Sequence, residues 1–300
     1  MIKKYCEGAL LQTMEGAGIA ANNHLLVRYS NDFSIYEIDG IDQYREQTKV
    51  FFSCHEFEYG EVTEGYEPYL SIISMMFHEY GEGSFADFME ACDVYELHRP
   101  ILESYFETGV CERDEAILLN EVGYEQSRMT KAIVAMLNEM SKIKPIVIAL
   151  NRFQMACGST MKLTYELLCE DNKNISILLG VNEVQAIPQF LVPLWEKILE
   201  RMEDHSQVYH IGSSGRKRKD VEKSDQASQF YNAAEMEEFY RKIHNLAEFL
   251  DFEQASYWLN RTERSVKFDN MEISEDDHYL LLRELTQVSI LSGELSKAYI

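Results

Sequence analysis

Two glycines one residue apart, Gly16 and Gly18, follow the apolar run Ala9-Leu10-Leu11-Gln12-Thr13-Met14. The pattern reads as a strand entering a tight turn. Glycines at that spacing let backbone N–H groups converge on an anion at the start of a helix. A phosphate loop needs two more things: a lysine that reaches the β and γ oxygens, and a hydroxyl for magnesium. The stretch here is Gly16-Ala17-Gly18-Ile19-Ala20-Ala21-Asn22-Asn23. In either register Ala21 or Asn22 holds the lysine position, and Asn22 or Asn23 the hydroxyl position. An anion in this turn would lack its charge-assisted partner.

A second place for chemistry is where apolar runs end in polar residues. Pro145-Ile146-Val147-Ile148-Ala149-Leu150 ends in Asn151-Arg152, and Ile175-Ser176-Ile177-Leu178-Leu179-Gly180-Val181 ends in Asn182. Carboxylates at the first of these ends could hold magnesium and activate water. Asn151 carries no charge, and Arg152 would repel the metal. His55-Glu56-Phe57-Glu58 and His78-Glu79 set imidazoles beside carboxylates without completing H-E-x-x-H, as chance allows in a chain with 51 acidic residues. Nothing places a base beside Cys54, Cys92 or Cys111, so these thiols read as small buried apolar groups. No G-x-S-x-G occurs.

These residues need elements to position them. Besides the runs already named, Thr48–Cys54 and Gln207–Ile211 read as strands. The continuous apolar character of 145–150 is that of a strand buried on both faces. Between the strands, Ile133, Val134, Met136, Leu137 and Met140 fall at helical spacing, as do Phe190, Leu191, Leu194, Ile198 and Met202. Strands alternating with helices predict a mostly parallel, doubly wound α/β sheet over residues 1–215, joined by right-handed crossovers.

Residues 216–300 read as all helix. Phe239, Tyr240, Ile243, Leu246, Ala247 and Leu250 form one apolar stripe, and Phe252, Ala255, Trp258 and Leu259 a second. Leu250–Ala255 matches Gly293–Ala298 in position, which suggests a repeated helical hairpin. The charged stretch Arg261 to Asp277 is expected to be a loop, with Ser274 capping the next helix and Asp277 three residues on. The chain stops where a repeat's second helix would begin, so the segment is expected to be truncated or covered by a partner.

In order and spacing these landmarks resemble the nucleotide-binding domain of AAA-type signal-transduction ATPases (STAND ATPases). Met14–Ile19 stands at the phosphate loop, Lys144–Gln154 at the strand that ends in two acids, and Ile177–Asn182 at the sensor strand. Gly65-Tyr66-Glu67-Pro68-Tyr69-Leu70 is similar to a stretch those domains carry after the second strand. The last ~75 residues resemble tetratricopeptide-type repeats, which often follow such domains. The resemblance implies a P-loop-NTPase-like fold, with Gly16, Gly18, Asn151 and Asn182 as relic nucleotide positions. The lost lysine and acidic pair imply that hydrolysis is gone, with no cofactor expected and ATP disfavoured.

A net charge of -23 and a pI near 4.7 disfavour nucleic acid, which needs a concentrated basic surface. The one basic run, Arg216-Lys217-Arg218-Lys219, follows Gly212-Ser213-Ser214-Gly215 and reads as a solvated linker. The N-terminus lacks the apolar core of a signal peptide, and no run approaches the ~18–20 apolar residues of a membrane span. Six scattered cysteines without a C-x-x-C pair suit a reducing, cytoplasmic setting. The expected function is a non-catalytic signalling or scaffold module that meets a protein partner through its helical segment. The alternative is an ATP-binding switch controlling an output domain, such as a helix-turn-helix regulator or a nucleotide cyclase. Oligomeric state is not legible in the sequence.

Overall fold

The apolar run after Lys144 forms a fully buried strand of a parallel sheet. The computed structural model of the chain describes residues 24–30, 34, 50–112, 121–170, 172–211, 233–268 and 274–291. Five strands lie in one sheet: β1 (His24–Tyr29), β2 (Phe51–Glu56), β3 (Ile146–Asn151), β4 (Ile175–Asn182) and β5 (Ser206–Ile211). Their order is β2-β3-β4-β1-β5 and every pairing is parallel. All six residues of β3 and all eight of β4 are buried, whereas β2 at one edge is mostly half-buried. Continuous apolar character thus accompanies full burial in β3 and β4.

Among the described residues six α-helices belong to this α/β part: α1 (Tyr69–Tyr80), α2 (Phe85–Ala91), α3 (Arg99–Thr108), α4 (Val122–Ile143), α5 (Gly158–Cys169) and α6 (Val192–His205). Helix α4 buries Met129, Ile133, Met136, Leu137 and Met140 along one stripe, the helical spacing the sequence predicts. Local signals set several ends. Ser84 begins α2 with a complete capping box to Asp87, and Gly109 closes α3 in the left-handed region at φ 74°.

Among the described residues three further helices follow: α7 (Ala233–Glu248), α8 (Phe252–Phe268) and α9 (Glu275–Leu291). Helix α8 packs against both α7 and α9. Ser274 accepts the Asp277 N–H at 3.0 Å, so the expected cap of α9 is present. The expected loop at Arg261–Asp277 is corrected in its first half, because α8 continues as helix to Phe268. Its buried face there carries Thr262 and Ser265, small polar residues that leave no apolar stripe to read. The strand expected at 9–14, the basic run at 216–219 and the repeat partner at 293–298 lie outside the described residues.

The turn between α7 and α8 joins the two parts. Asp251 N–H bonds Leu246 C=O at 2.8 Å and Leu250 N–H bonds Ala247 C=O at 2.9 Å, a Schellman closure with Leu250 at φ 64°. Glycine usually holds that position, and a leucine there is strained by about 1–2 kcal/mol. Leu250 offsets this by packing into the core of the helical segment. Phe249 packs into the other core, edge-on to Tyr66 at 5.3 Å and to Tyr105 at 5.6 Å. Gly65 makes room for it, since a Cβ there would stand 2.8 Å from Phe249 Cδ2.

Candidate functional site

Ligands of open parallel sheets bind beyond the carboxyl ends of the strands. At that edge the Tyr29 hydroxyl, closing β1, donates to Asn151 Oδ1, closing β3, at 2.9 Å. Both side chains are almost wholly buried. The next residue, Arg152, takes a left-handed conformation at φ 52° and pairs with Glu56 at 3.3 Å. The Ser34 hydroxyl also donates to Glu56, at 2.6 Å. The Glu56 carboxylate, opposite Asn151 in the β2–β3 pairing, is thus held between a guanidinium and a hydroxyl.

Asn182 closes β4, and its Oδ1 accepts the Val184 N–H at 3.0 Å, an Asx-type turn. Its backbone N–H donates to Gln154 Oε1 at 3.3 Å, and Gln154 donates in turn to Gln185 at 2.5 Å. Asn151 and Asn182, expected from sequence, therefore stand at the ends of neighbouring strands. Gly16 and Gly18 lie outside the described residues. Tyr29, Gln154 and Gln185 went unnoticed in the sequence. Tyr29 could have been found only by recognising 24–29 as a strand.

Further along this edge a cleft of about 900 Å³ opens between the sheet and α8. The segment after β2 (Glu58, Glu61), the loop after β4 (Phe190) and one face of α8 contribute to its walls. The α8 face brings Tyr257 within 5.8 Å of Phe190, between ring centroids, and Trp258 within 5.4 Å of Tyr257. The walls of this cleft are far apart along the chain, so no local pattern encodes it. Trp258, part of the second apolar stripe in the sequence, is both buried and cleft-lining.

A third polar cluster ties α7 to the α/β part. Arg241 donates to Glu64 at 2.5 Å and to the Gly109 carbonyl at 2.7 Å, while Asn245 Oδ1 accepts the Cys111 N–H at 2.8 Å. The Tyr105 hydroxyl donates to Glu67 at 2.7 Å and to Glu64 at 3.1 Å. Burial raises the Glu67 carboxyl above the ordinary range despite these bonds. Such a cluster is built to hold, with each charge answered by a fixed partner.

The thiols offer no activated nucleophile at the joint. Cys157 precedes α5 in full burial beside Ser159 and Thr160, and burial pushes its thiol up to about 11. Burial likewise raises Cys92 to about 11. A thiolate, not a thiol, is the nucleophile. Among the described residues no group of three or more His, Cys, Asp or Glu side chains could hold a metal ion. His55 and His78 therefore remain outside any such set. Among the same residues no helix is long and apolar enough to cross a membrane.

Scanned against protein-family models and searched against curated proteins, the chain matches none.

Proposed function

We propose that this protein is a non-catalytic signalling or scaffold module: a P-loop-NTPase-like platform with lapsed nucleotide chemistry, joined to a helical segment that meets a protein partner. One observation carries the reading. At the end of β3 the Asn151 amide oxygen is engaged by Tyr29, and Arg152 occupies Glu56. Phosphoryl transfer from a magnesium nucleotide needs a free carboxylate at such a position to hold the metal. An amide and a guanidinium supply none.

A parallel sheet surrounded by helices and followed by more helices is compatible with the α/β-plus-helical part of the resemblance. With β1 between β4 and β5, and β3 beside β4, the carboxyl ends of β3, β4 and β1 lie side by side at one edge of the sheet. The tetratricopeptide resemblance draws support only from the packing of α8 against both α7 and α9. Function follows from the site rather than from such likeness.

Calorimetric titration of ATP into the full chain, with and without magnesium, tests the reading. The expected result is no heat at millimolar nucleotide and an unchanged melting temperature. Micromolar binding that Gly18→Glu abolishes would overturn it and restore the ATP-driven switch.

A further inference from the structure

Gln254 and Trp258 stand one helical turn apart on α8, and both line the 900 Å³ cleft. They are 3% and 8% exposed, and neither Gln254 Oε1 nor Trp258 Nε1 has a hydrogen-bond partner among the described residues. Buried polar atoms are nearly always paired. Leaving one unpaired is costly, so two on one turn of one helix is a concentrated deficit. One is an acceptor and the other a donor. Side chains at that spacing lie about 5–6 Å apart at Cβ. An extended polypeptide offers the matching groups, because its N–H and C=O alternate along the chain.

The remaining walls narrow the ligand. Phe190, Tyr257 and Trp258 supply an aromatic face that would bury an apolar or aromatic side chain. Arg261 holds its guanidinium 5.2 Å over the Trp258 ring, and Arg264 follows it on the same helix. From the segment after β2 come Glu58 and Glu61. None of these four charges forms an ion pair among the described residues. A polyphosphate would meet carboxylates on one wall and a chain of net charge -23 on approach. A ligand carrying both signs satisfies both walls.

We propose that this cleft is a docking site for an extended peptide segment of a partner protein. The segment carries an aromatic or large apolar residue with a basic residue on one side and an acidic residue on the other. The peptide backbone answers Gln254 and Trp258, and its acidic residue answers Arg261 and Arg264. Its basic residue meets Glu58 and Glu61. The inference rests on the protein-contact reading above and adds the place and the chemistry of the contact.

Panning a displayed library of short random peptides against the full chain, and against an Arg261→Glu/Arg264→Glu variant, tests it. The expected result is an enriched consensus of one aromatic residue flanked by opposite charges. A synthetic consensus peptide should bind the variant about tenfold or more weakly. Gln254→Met, which keeps size and removes the amide, should weaken the same peptide at an unchanged melting temperature. No enrichment, or enrichment indifferent to the arginines, overturns the docking site; with ATP silent it leaves the non-catalytic reading in place. ATP binding that the arginine variant abolishes would make the cleft a nucleotide site and overturn both. Self-association that the same variant dissolves would assign the cleft to a second copy of the chain and overturn the peptide.

Discussion

Asp251 accepts the Ser159 backbone N–H at 2.7 Å, across 92 residues of sequence. It thereby caps α5, whose own N-cap residue, Cys157, makes no side-chain capping bond. A Cβ on Gly158 would stand 3.1 Å from Asp251 Oδ1, so glycine is what lets the carboxylate reach the helix end. The helical segment supplies a part that the α/β layer lacks.

Removing that cap should be costly, and its charge should be dispensable. Asp251→Ala is expected to destabilise the protein by about 1 kcal/mol or more, the usual loss for a cap. Asp251→Asn keeps the acceptor and should lose little at neutral pH. Urea unfolding of the two variants checks the order, and equal losses would show that shape does not matter there.

The same residue predicts a pH dependence. Burial raises the Asp251 carboxyl above the ordinary range, outweighing the Ser159 N–H and nearby Lys162. A raised folded value means that the native state holds a proton the unfolded chain has released. The associated stability is complete below the ordinary aspartate value and is lost as pH rises through the folded one. Wild type should therefore lose stability relative to Asp251→Asn as pH climbs from the ordinary aspartate value toward neutrality. Parallel stability curves for the two proteins would refute this.

Gly65→Ala is expected to cost about 1–3 kcal/mol by overpacking, because the new methyl would meet Phe249 Cδ2 at 2.8 Å. In a Phe249→Ala background the obstacle is gone, and the same substitution should cost almost nothing. A double-mutant cycle in urea measures the difference. Additive losses would mean that Phe249 is not what fills the space over Gly65.

Arg152 sets backbone strain against an ion pair. Arg152→Gly relieves a left-handed residue by about 1–2 kcal/mol. It also gives up a half-exposed pair with Glu56 and frees the unfolded chain, together of similar size. Arg152→Ala keeps the strain and loses the pair. The expected order of stability is wild type close to glycine, with alanine lowest. Alanine equal to glycine would place no strain at this position.

Cys157 should resist thiol reagents at mildly alkaline pH until the protein unfolds, while exposed Cys169 is modified in the native state. Peptide mapping after brief labelling distinguishes them. Native labelling of Cys157 would mean that the joint around α5 opens readily.

Strands β3 and β4 could be read because their burial on both faces demands unbroken apolar runs. Strand β1 is as central and went unread, since His24 and Arg28 bracket it. The structure shows how such residues fit: His24 Nδ1 accepts the Ile177 N–H at 3.1 Å, and Arg28 reaches outward to Glu183 and Glu203. Local chemistry was equally legible at Ser274 and along the α4 stripe. Asn151 and Asn182 could be anticipated as strand-end residues. Their partners could not, because Tyr29 reaches Asn151 across 122 positions and no local pattern encodes such a bond. The cleft was hidden for the same reason, and α8 was cut short in the reading by its own arginines.

Phe249, Leu250 and Asp251 send consecutive side chains to three destinations: one core, the other core, and the start of a helix. Recombination would find this awkward. Helices borrowed from another protein could not simply be grafted behind the sheet, however well they stacked among themselves. The newcomer would need an aromatic ring and, two residues later, an acid, presented by a turn tight enough to hold a left-handed residue between them. Any lineage that exchanged the helical segment would have to carry this tripeptide along with it, or repair the socket around Gly65 and Gly158 at the same time.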